Sequence, residues 1–278
     1  MVRVVLITGC SSGGIGYSLC EQFALQGCKV YATARNIAKI ADFGAGYGSS
    51  IEKFALDVNN DESVKRCIDH IVEKEGKIDV LVNNAGVTSP GPLIEVPLDD
   101  IKEVFETNVF AVIRMSRAVA RVMAKQKSGL IVNIGSIVGE VSTPWSGVYC
   151  ASKAAVNSVS EVLSMELSTL NIKVLHVAPG GVKSHIADNG SSRFQLAPDS
   201  MFASYLPMIQ KRIATSQGPD SIPSEVFAKE VVKNALKETP PRYMTLGGKA
   251  TFFQFLKWLP RGYVLNMVWR TFSDKATA

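Results

Sequence analysis

Six short runs of β-branched and aliphatic residues, separated by amphipathic stretches, decide what this chain can fold into. They cover residues 4–8, 29–33, 52–56, 78–82, 130–135 and 173–177, each bounded by Gly, Pro, Asn or Asp. Most are apolar on both faces, so they need cover on two sides, as strands of a parallel sheet under helices do. The intervals fit helices over about 14–26, 61–75, 99–127 and 147–169. In the first of these, Ile15, Leu19 and Phe23 recur every four residues on one face. Strand and helix in regular alternation predict an α/β fold with a parallel sheet between two helix layers. Residues 242–246 are a candidate edge strand. Between 184 and 239 the pattern weakens as Pro, Ser, Met and Phe accumulate, which predicts an irregular lid carrying one or two helices. The expected organisation is a single domain over 1–246, lid included, followed by a tail over 247–278.

The 278 residues are 46% hydrophobic and 20% charged, ordinary for a globular protein and far from a disordered one. Five cysteines, odd in number and without a C-x-x-C pair, argue against a disulfide framework or a zinc site and for a reducing compartment. No metal is expected. The apolar run near the N-terminus is too short for a signal-peptide core, so secretion is not expected. The net charge of +5 belongs to the tail. Residues 242–278 hold six of the 30 Lys and Arg but one of the 25 acids, leaving 24 of each before them. A nucleic-acid binder would spread its basic surplus over the domain.

The first run leads into Thr8-Gly9-Cys10-Ser11-Ser12-Gly13-Gly14-Ile15-Gly16 and then a helix. Glycines there allow a tight turn and a close approach to a pyrophosphate, which the helix N-terminus then attracts. Both Gly13 and Gly14 are candidates for that contact. The second run ends in Ala32-Thr33-Ala34-Arg35-Asn36, with an arginine where an acid would select a ribose hydroxyl. A guanidinium suits a 2′-phosphate, so NADPH is expected over NADH. Alternatively, Arg35 is a solvated residue opening a loop.

Further along come Asn83-Asn84-Ala85-Gly86, then Asn108, then Ser136, then Tyr149-Cys150-Ala151-Ser152-Lys153. With the glycine turn, and with Ser136 thirteen residues before Tyr149, this order resembles the short-chain dehydrogenase/reductase family over about residues 3–185. The resemblance implies a Rossmann-type doubly wound parallel sheet, NADP-dependent oxidoreduction, and catalysis by Ser136, Tyr149, Lys153 and Asn108. It also implies cofactor contacts at Gly9, Ser11, Ser12, Ile15, Gly16, Asp57, Val58, Asn83, Ala85, Gly86, Tyr149, Lys153 (on the nicotinamide ribose), Pro179, Gly180, Val182 and Ser184. Asn108 would hold a water linking the lysine to solvent. The glycine turn is one residue longer than the family's T-G-x-x-x-G-x-G, and Ser184 stands where threonine is usual.

Residue chemistry supports this. Tyr149 and Lys153 are one helical turn apart, and an adjacent ammonium lowers a phenol's pKa from its usual ~10 towards neutrality. Tyr149 could then give a proton to a carbonyl oxygen that Ser136 orients. Gly9-Cys10-Ser11-Ser12-Gly13 also fits the G-x-S-x-G elbow of hydrolases, with Ser11 as nucleophile and His176 or His185 as base. That lipid-esterase reading leaves Ser136, Tyr149 and Lys153 unexplained. A catalytically silent NADPH-binding scaffold is the other alternative.

In the lid, Met201, Phe202, Tyr205, Leu206, Met208 and Ile209 suggest an apolar wall. Lys183, His185, Arg193, Lys211 and Arg212 offer charge for a phosphate headgroup. The tail mixes seven aromatics with cations and is broken by Lys257, Pro260 and Arg261. It suits a segment lying in a headgroup layer, on the cytoplasmic face of the endoplasmic reticulum or on a lipid droplet, rather than a membrane span. The alternative is a helix packed on the body or between copies of the chain. Within the family, the T-G-C-S-S start, the Y-A-T-A-R stretch and the basic aromatic tail look most like the fungal NADPH-dependent 1-acyldihydroxyacetone-phosphate reductases. The 17β-hydroxysteroid dehydrogenases, and retinoid dehydrogenases after them, are the rival resemblance.

Overall fold

A computed structural model describes residues 2–273. Among them lies one seven-stranded sheet, all of its pairs parallel, in the order β3-β2-β1-β4-β5-β6-β7. The strands are β1 Val4–Ile7, β2 Lys29–Ala34, β3 Ile51–Ala55, β4 Val80–Asn83, β5 Gly129–Ile134, β6 Ile172–Pro179 and β7 Tyr243–Leu246. All six expected runs and the edge strand are present, shifted by at most two residues where helix and loop hydrogen bonds compete at the ends.

Alternation along each strand explains the two-sided burial. From β1, Val5 and Ile7 face one layer with α1 (Ile15–Leu25) and α8 (Ser224–Ala235), while Val4 and Leu6 face the other. That second layer includes α2 (Asp61–Glu75) and α4 (Ala111–Gln126). Asn60 caps α2 by accepting from the Ser63 amide at 2.8 Å, and Gly76 ends it in a left-handed conformation.

The helix expected over 99–127 is interrupted. It runs as α3 (Leu98–Phe105), a π-helical turn at Glu106–Phe110, and then α4. The Ala111 amide reaches back five residues to the Glu106 carbonyl, and Asn108 sits inside this wider turn. Next comes α5 (Gly147–Glu166), which carries Tyr149 and Lys153.

Residues 184–239 differ from the expected irregular lid. They hold α6 (Ile186–Arg193), α7 (Leu206–Ala214) and α8, and α8 is no lid. Its Phe227, Ala228, Val231, Val232 and Ala235 are buried in the same cluster as Leu19 and Phe23 of α1.

The tail folds back onto the body as α9 (Ala250–Leu256) and α10 (Arg261–Ser273). Leu256, Val264 and Val268 are buried with Val141, and the Trp145 indole donates to the Phe272 carbonyl at 2.9 Å. The packed alternative is therefore the arrangement observed. Phe255, Trp258 and Tyr263 nevertheless remain exposed. No helix among the described residues is long and apolar enough to cross a membrane. Of the tail's charged residues, Asp274 and Lys275 lie outside the described residues.

Candidate active site

At the C-terminal ends of the strands lies a cavity of about 1070 Å³. One end is the glycine turn. Gly9 is left-handed (φ 72°), and a Cβ there would come 2.7 Å from the Ala85 Cα. A Cβ on Gly16 would meet the Gly9 carbonyl at 2.4 Å, so α1 descends directly onto the turn. Gly14 caps α1 without a side-chain bond, and the first turn carries no acid, leaving its amides and positive end facing the cavity. Gly9, Ser11, Ser12, Gly14 and Ile15 line this end and fit the pyrophosphate of a dinucleotide. Gly13 is not on the wall; a Cβ there would strike His185 Nε2 at 2.4 Å. Gly16 serves packing rather than lining.

Arg35 is exposed at the rim beside Asn36 and Lys39. The loop is tied to the glycine turn, with the Ser12 amide donating to the Lys39 carbonyl at 2.9 Å and the Ala41 amide to Ser12 Oγ at 2.6 Å. Two cations and no acid thus face the place where a ribose phosphate would sit. The reading of the sequence missed Lys39, whose signal was a second cation four residues after Arg35.

Val58 lines the wall, but Asp57 does not; its carboxylate accepts from the Asn59 amide at 3.0 Å. Asn83 is also off the cavity. It is buried and donates to Ser116 Oγ at 3.2 Å and Asn133 Oδ1 at 2.9 Å. Its neighbour Asn84 takes the expected place, donating to the Thr8 and Gly9 carbonyls at 2.9 Å each, with Ala85 and Gly86 beside it on the wall. Pro179, Gly180, Val182 and Ser184 line the far side.

Ser136 follows β5, and Tyr149 and Lys153 stand on one face of α5, all three on the cavity wall. Ser136 Oγ accepts from the Val138 amide at 3.4 Å, and its hydroxyl is close enough to lower the Tyr149 phenol. Lys153 is buried; its Nζ donates to the Ile134 carbonyl at 2.8 Å and lies 5.6 Å from the centroid of the Tyr149 ring. Burial pushes the Tyr149 phenol up to about 12 and the Lys153 ammonium down to about 8. The charge of Arg212 and the Ser136 side chain act against this and lower the phenol. Asn108 is buried off the wall. Its Oδ1 accepts from the Val87 amide at 2.8 Å, and its Nδ2 donates to the Val87 carbonyl and Ser152 Oγ at 2.9 Å each. It fastens the 86–87 loop to α5, and its side chain is fully engaged in doing so.

The short chain dehydrogenase family profile matches residues 3–193. The chain belongs to the short-chain dehydrogenases. It is 37% identical over 243 residues to the short-chain dehydrogenase cctT of Talaromyces islandicus, covering 85% of this chain and 83% of that one. It is 30% identical over 260 residues to the NADPH-dependent 1-acyldihydroxyacetone phosphate reductase of Saccharomyces cerevisiae, covering 91% and 85%. A crystal structure of a short-chain dehydrogenase from Streptomyces avermitilis superposes with a TM-score of 0.81 at 29% identity, over 100% of this chain and 99% of that one. This short-chain dehydrogenase is therefore an NAD(P)-dependent oxidoreductase.

The elbow reading finds no support in the geometry. Among the described residues Ser11 bonds no histidine: His176 lies in β6, 3.3 Å from Ser160 Oγ, and His185 pairs with Asp188 at 3.2 Å.

The cavity of this dehydrogenase continues beyond Tyr149. Thr143 and Trp145 line it from the body, Arg212 from α7, and Phe253, Met267, Val268 and Phe272 from the tail. Trp145 packs edge-on against Phe202 and tilted against Tyr205 and Trp269, with ring centroids 5.4–5.8 Å apart, closing lid and tail over the substrate end. Of the lid residues read as an apolar wall, none lines the cavity itself; Ile209 is fully buried, and Phe202 and Tyr205 support the wall through Trp145. The tail's share in this site had no signal in the sequence, because its partners Val141 and Trp145 lie over a hundred residues upstream.

Proposed function

We propose that this short-chain dehydrogenase reduces a lipid ketone with NADPH, converting 1-acyldihydroxyacetone phosphate to 1-acylglycerol 3-phosphate. The observation that carries the reading is the continuity of the cavity. It runs from the Arg35–Lys39 rim past Tyr149 and into an apolar chamber walled by Phe253, Met267, Val268 and Phe272. The activity in the name of the yeast relative points the same way.

When bound, the reduced nicotinamide supplies a hydride to the carbonyl carbon. Tyr149 gives its proton to the carbonyl oxygen, and Ser136 holds that oxygen by a hydrogen bond. Lys153, buried close by, stabilises the phenolate left behind until solvent returns the proton. One ketone, one NADPH and one proton become one secondary alcohol and NADP.

The test follows NADPH absorbance with 1-acyldihydroxyacetone phosphate, steroid ketones and retinal as substrates. The acyl ketone phosphate is expected to be turned over fastest, and Tyr149→Phe to lower kcat by ~10²–10⁴-fold while leaving NADPH binding intact. A steroid or retinal turned over faster would replace the substrate, and full activity in Tyr149→Phe would remove the mechanism.

We also propose that the outer face of the tail rests on an anionic lipid surface at the endoplasmic reticulum or a lipid droplet. Support comes from the exposed rings of Phe255, Trp258 and Tyr263, with Lys257, paired to Glu140 at 3.0 Å, between them in sequence. That face adjoins the chamber in which an acyl chain would lie.

A further inference from the structure

The cations that the sequence places around the lid are not equivalent. Arg193 is taken: its guanidinium forks onto the Glu103 carboxylate at 3.0 and 3.1 Å. His185 is bonded to Asp188, and Lys183 is exposed away from the cavity. Lys211 lines the cavity from an exposed position on α7, free to rotate into water.

Arg212 is different. It is half-buried on the cavity wall, its Nε donates to Thr143 Oγ1 at 2.9 Å, and its guanidinium carbon lies 5.7 Å from the centroid of the Phe272 ring. The hydroxyl fixes one edge of the plane and the aromatic ring covers one face. Among the described residues no carboxylate reaches it, and neither Nη group donates to any of them. A guanidinium held at its inner edge and open at the outer one presents the parallel N–H pair that carboxylate and phosphate accept bidentately. Leaving such a charge unpaired in a cavity is costly, and an anionic ligand removes that cost.

We infer that Arg212 receives the substrate's anionic group, a phosphate monoester carried close to the ketone. The acyl chain then runs the other way, along Phe253, Met267 and Val268. This rests on the reading of the site as a lipid-ketone reductase and deepens it by naming the headgroup and the residue that selects it. It also sets a charge rule for substrates: ketones with an anion near the carbonyl are accepted, and ketones with a protonated amine there are repelled. The placement has an electrostatic consequence, because the charge of Arg212 acts on the Tyr149 phenol. A bound phosphate neutralises that charge and keeps the phenol protonated until the oxygen it serves requires the proton.

The test measures binding and turnover separately. Binding of 1-oleoylglycerol 3-phosphate and of uncharged 1-oleoylglycerol to the NADP-loaded enzyme is followed by calorimetry in wild type, Arg212→Gln and Arg212→Lys. Loss of a bidentate charge-assisted pair predicts about 30-fold weaker binding of the phosphate in Arg212→Gln, with partial recovery in Arg212→Lys. The preference for the phosphate over the uncharged lipid should fall in proportion. A preference that survives in Arg212→Gln, within threefold of wild type, overturns the assignment. Turnover of 1-acyldihydroxyacetone phosphate against its dephosphorylated ketone provides the second arm. If wild type reduces neither ketone but binds the phosphate through Arg212, the proposed reaction fails and the anion site stands. If it reduces both equally well and Arg212→Gln changes neither, the reaction stands and the anion site fails.

Discussion

Lys153 stabilises the reaction at a cost to the resting fold, and that cost has a measurable pH dependence. A lysine carried from 10.5 in the open chain to about 8 in the folded protein disfavours its own ammonium by about 3 kcal/mol at neutral pH. The cause is burial: Lys153 is 5% exposed, and its one hydrogen bond is to the Ile134 carbonyl. Because the folded pKa is depressed, the unfolded chain binds the extra proton between about 8 and 10.5, so stability rises with pH across that window. The penalty is complete below 8 and absent above 10.5. Between pH 7 and 9.5, about 2 kcal/mol of it should disappear. Lys153→Met removes the titration but also leaves the Ile134 carbonyl unpaired, at about 1–3 kcal/mol independent of pH. The quantity to read is therefore a double difference. Urea unfolding of the nucleotide-free protein is measured for wild type and Lys153→Met near pH 7 and near pH 9.5. Wild type should gain about 2 kcal/mol on the variant between the two, while the tyrosines and thiols, present in both proteins, cancel. A gap that stays constant within about 0.5 kcal/mol would refute the claim that the lysine is held against its charge.

Arg35→Asp should shift the ratio of kcat/KM for NADPH over NADH towards NADH by ~10–100-fold, since it removes a phosphate partner and adds a repelling charge; an unchanged ratio would assign the selection to Lys39 alone. For the lipid surface, replacing Phe255 and Trp258 together with alanine should at least halve co-sedimentation with anionic vesicles without altering NADPH binding. Equal pelleting of variant and wild type would remove that face from consideration. These point changes are preferable to cutting at residue 247, because the tail walls the substrate chamber and its deletion would open the site as well as the surface.

The strands were legible because a parallel strand is apolar on both faces, and six such runs leave few other architectures. Ser136, Tyr149 and Lys153 were legible because a fixed spacing carries them to one end of the sheet. The π turn around Asn108 was not: one extra residue in a helix changes neither composition nor, over five residues, periodicity. Nor was the role of Asn83, since two adjacent asparagines at a strand end must point to opposite sides and the chain alone does not say which faces the cavity. The structure gives Asn84 to the glycine turn and Asn83 to the core network with Asn133. The helix α8 was readable in retrospect from Phe227, Val231 and Ala235, which recur every four residues. Mixed aromatics and cations in the tail suit a headgroup layer and a packed helix equally well, and only the distant Val141 and Trp145 decide that part of it is packed.

Two cations around one phenol answer two different needs. A proton donor has to be protonated when the ketone arrives and must tolerate a negative charge once the proton has gone. Burial satisfies the first, holding Tyr149 at about 12 even against Arg212 and Ser136, and makes the second harder. Lys153 has its Nζ 5.6 Å from the ring centroid and held by the Ile134 carbonyl, apart from any substrate group, so its charge stays beside the phenol. Arg212 lies on the cavity wall, and its charge is available only while no anion occupies it. A phosphate-bearing ketone thus silences the cation that would release the proton early and leaves in place the one that stabilises the phenolate afterwards. An uncharged ketone leaves both active, so the phenol should titrate at lower pH with the uncharged substrate than with the phosphate. The pH profiles of kcat for the two substrates should separate in that direction, and in Arg212→Gln they should coincide.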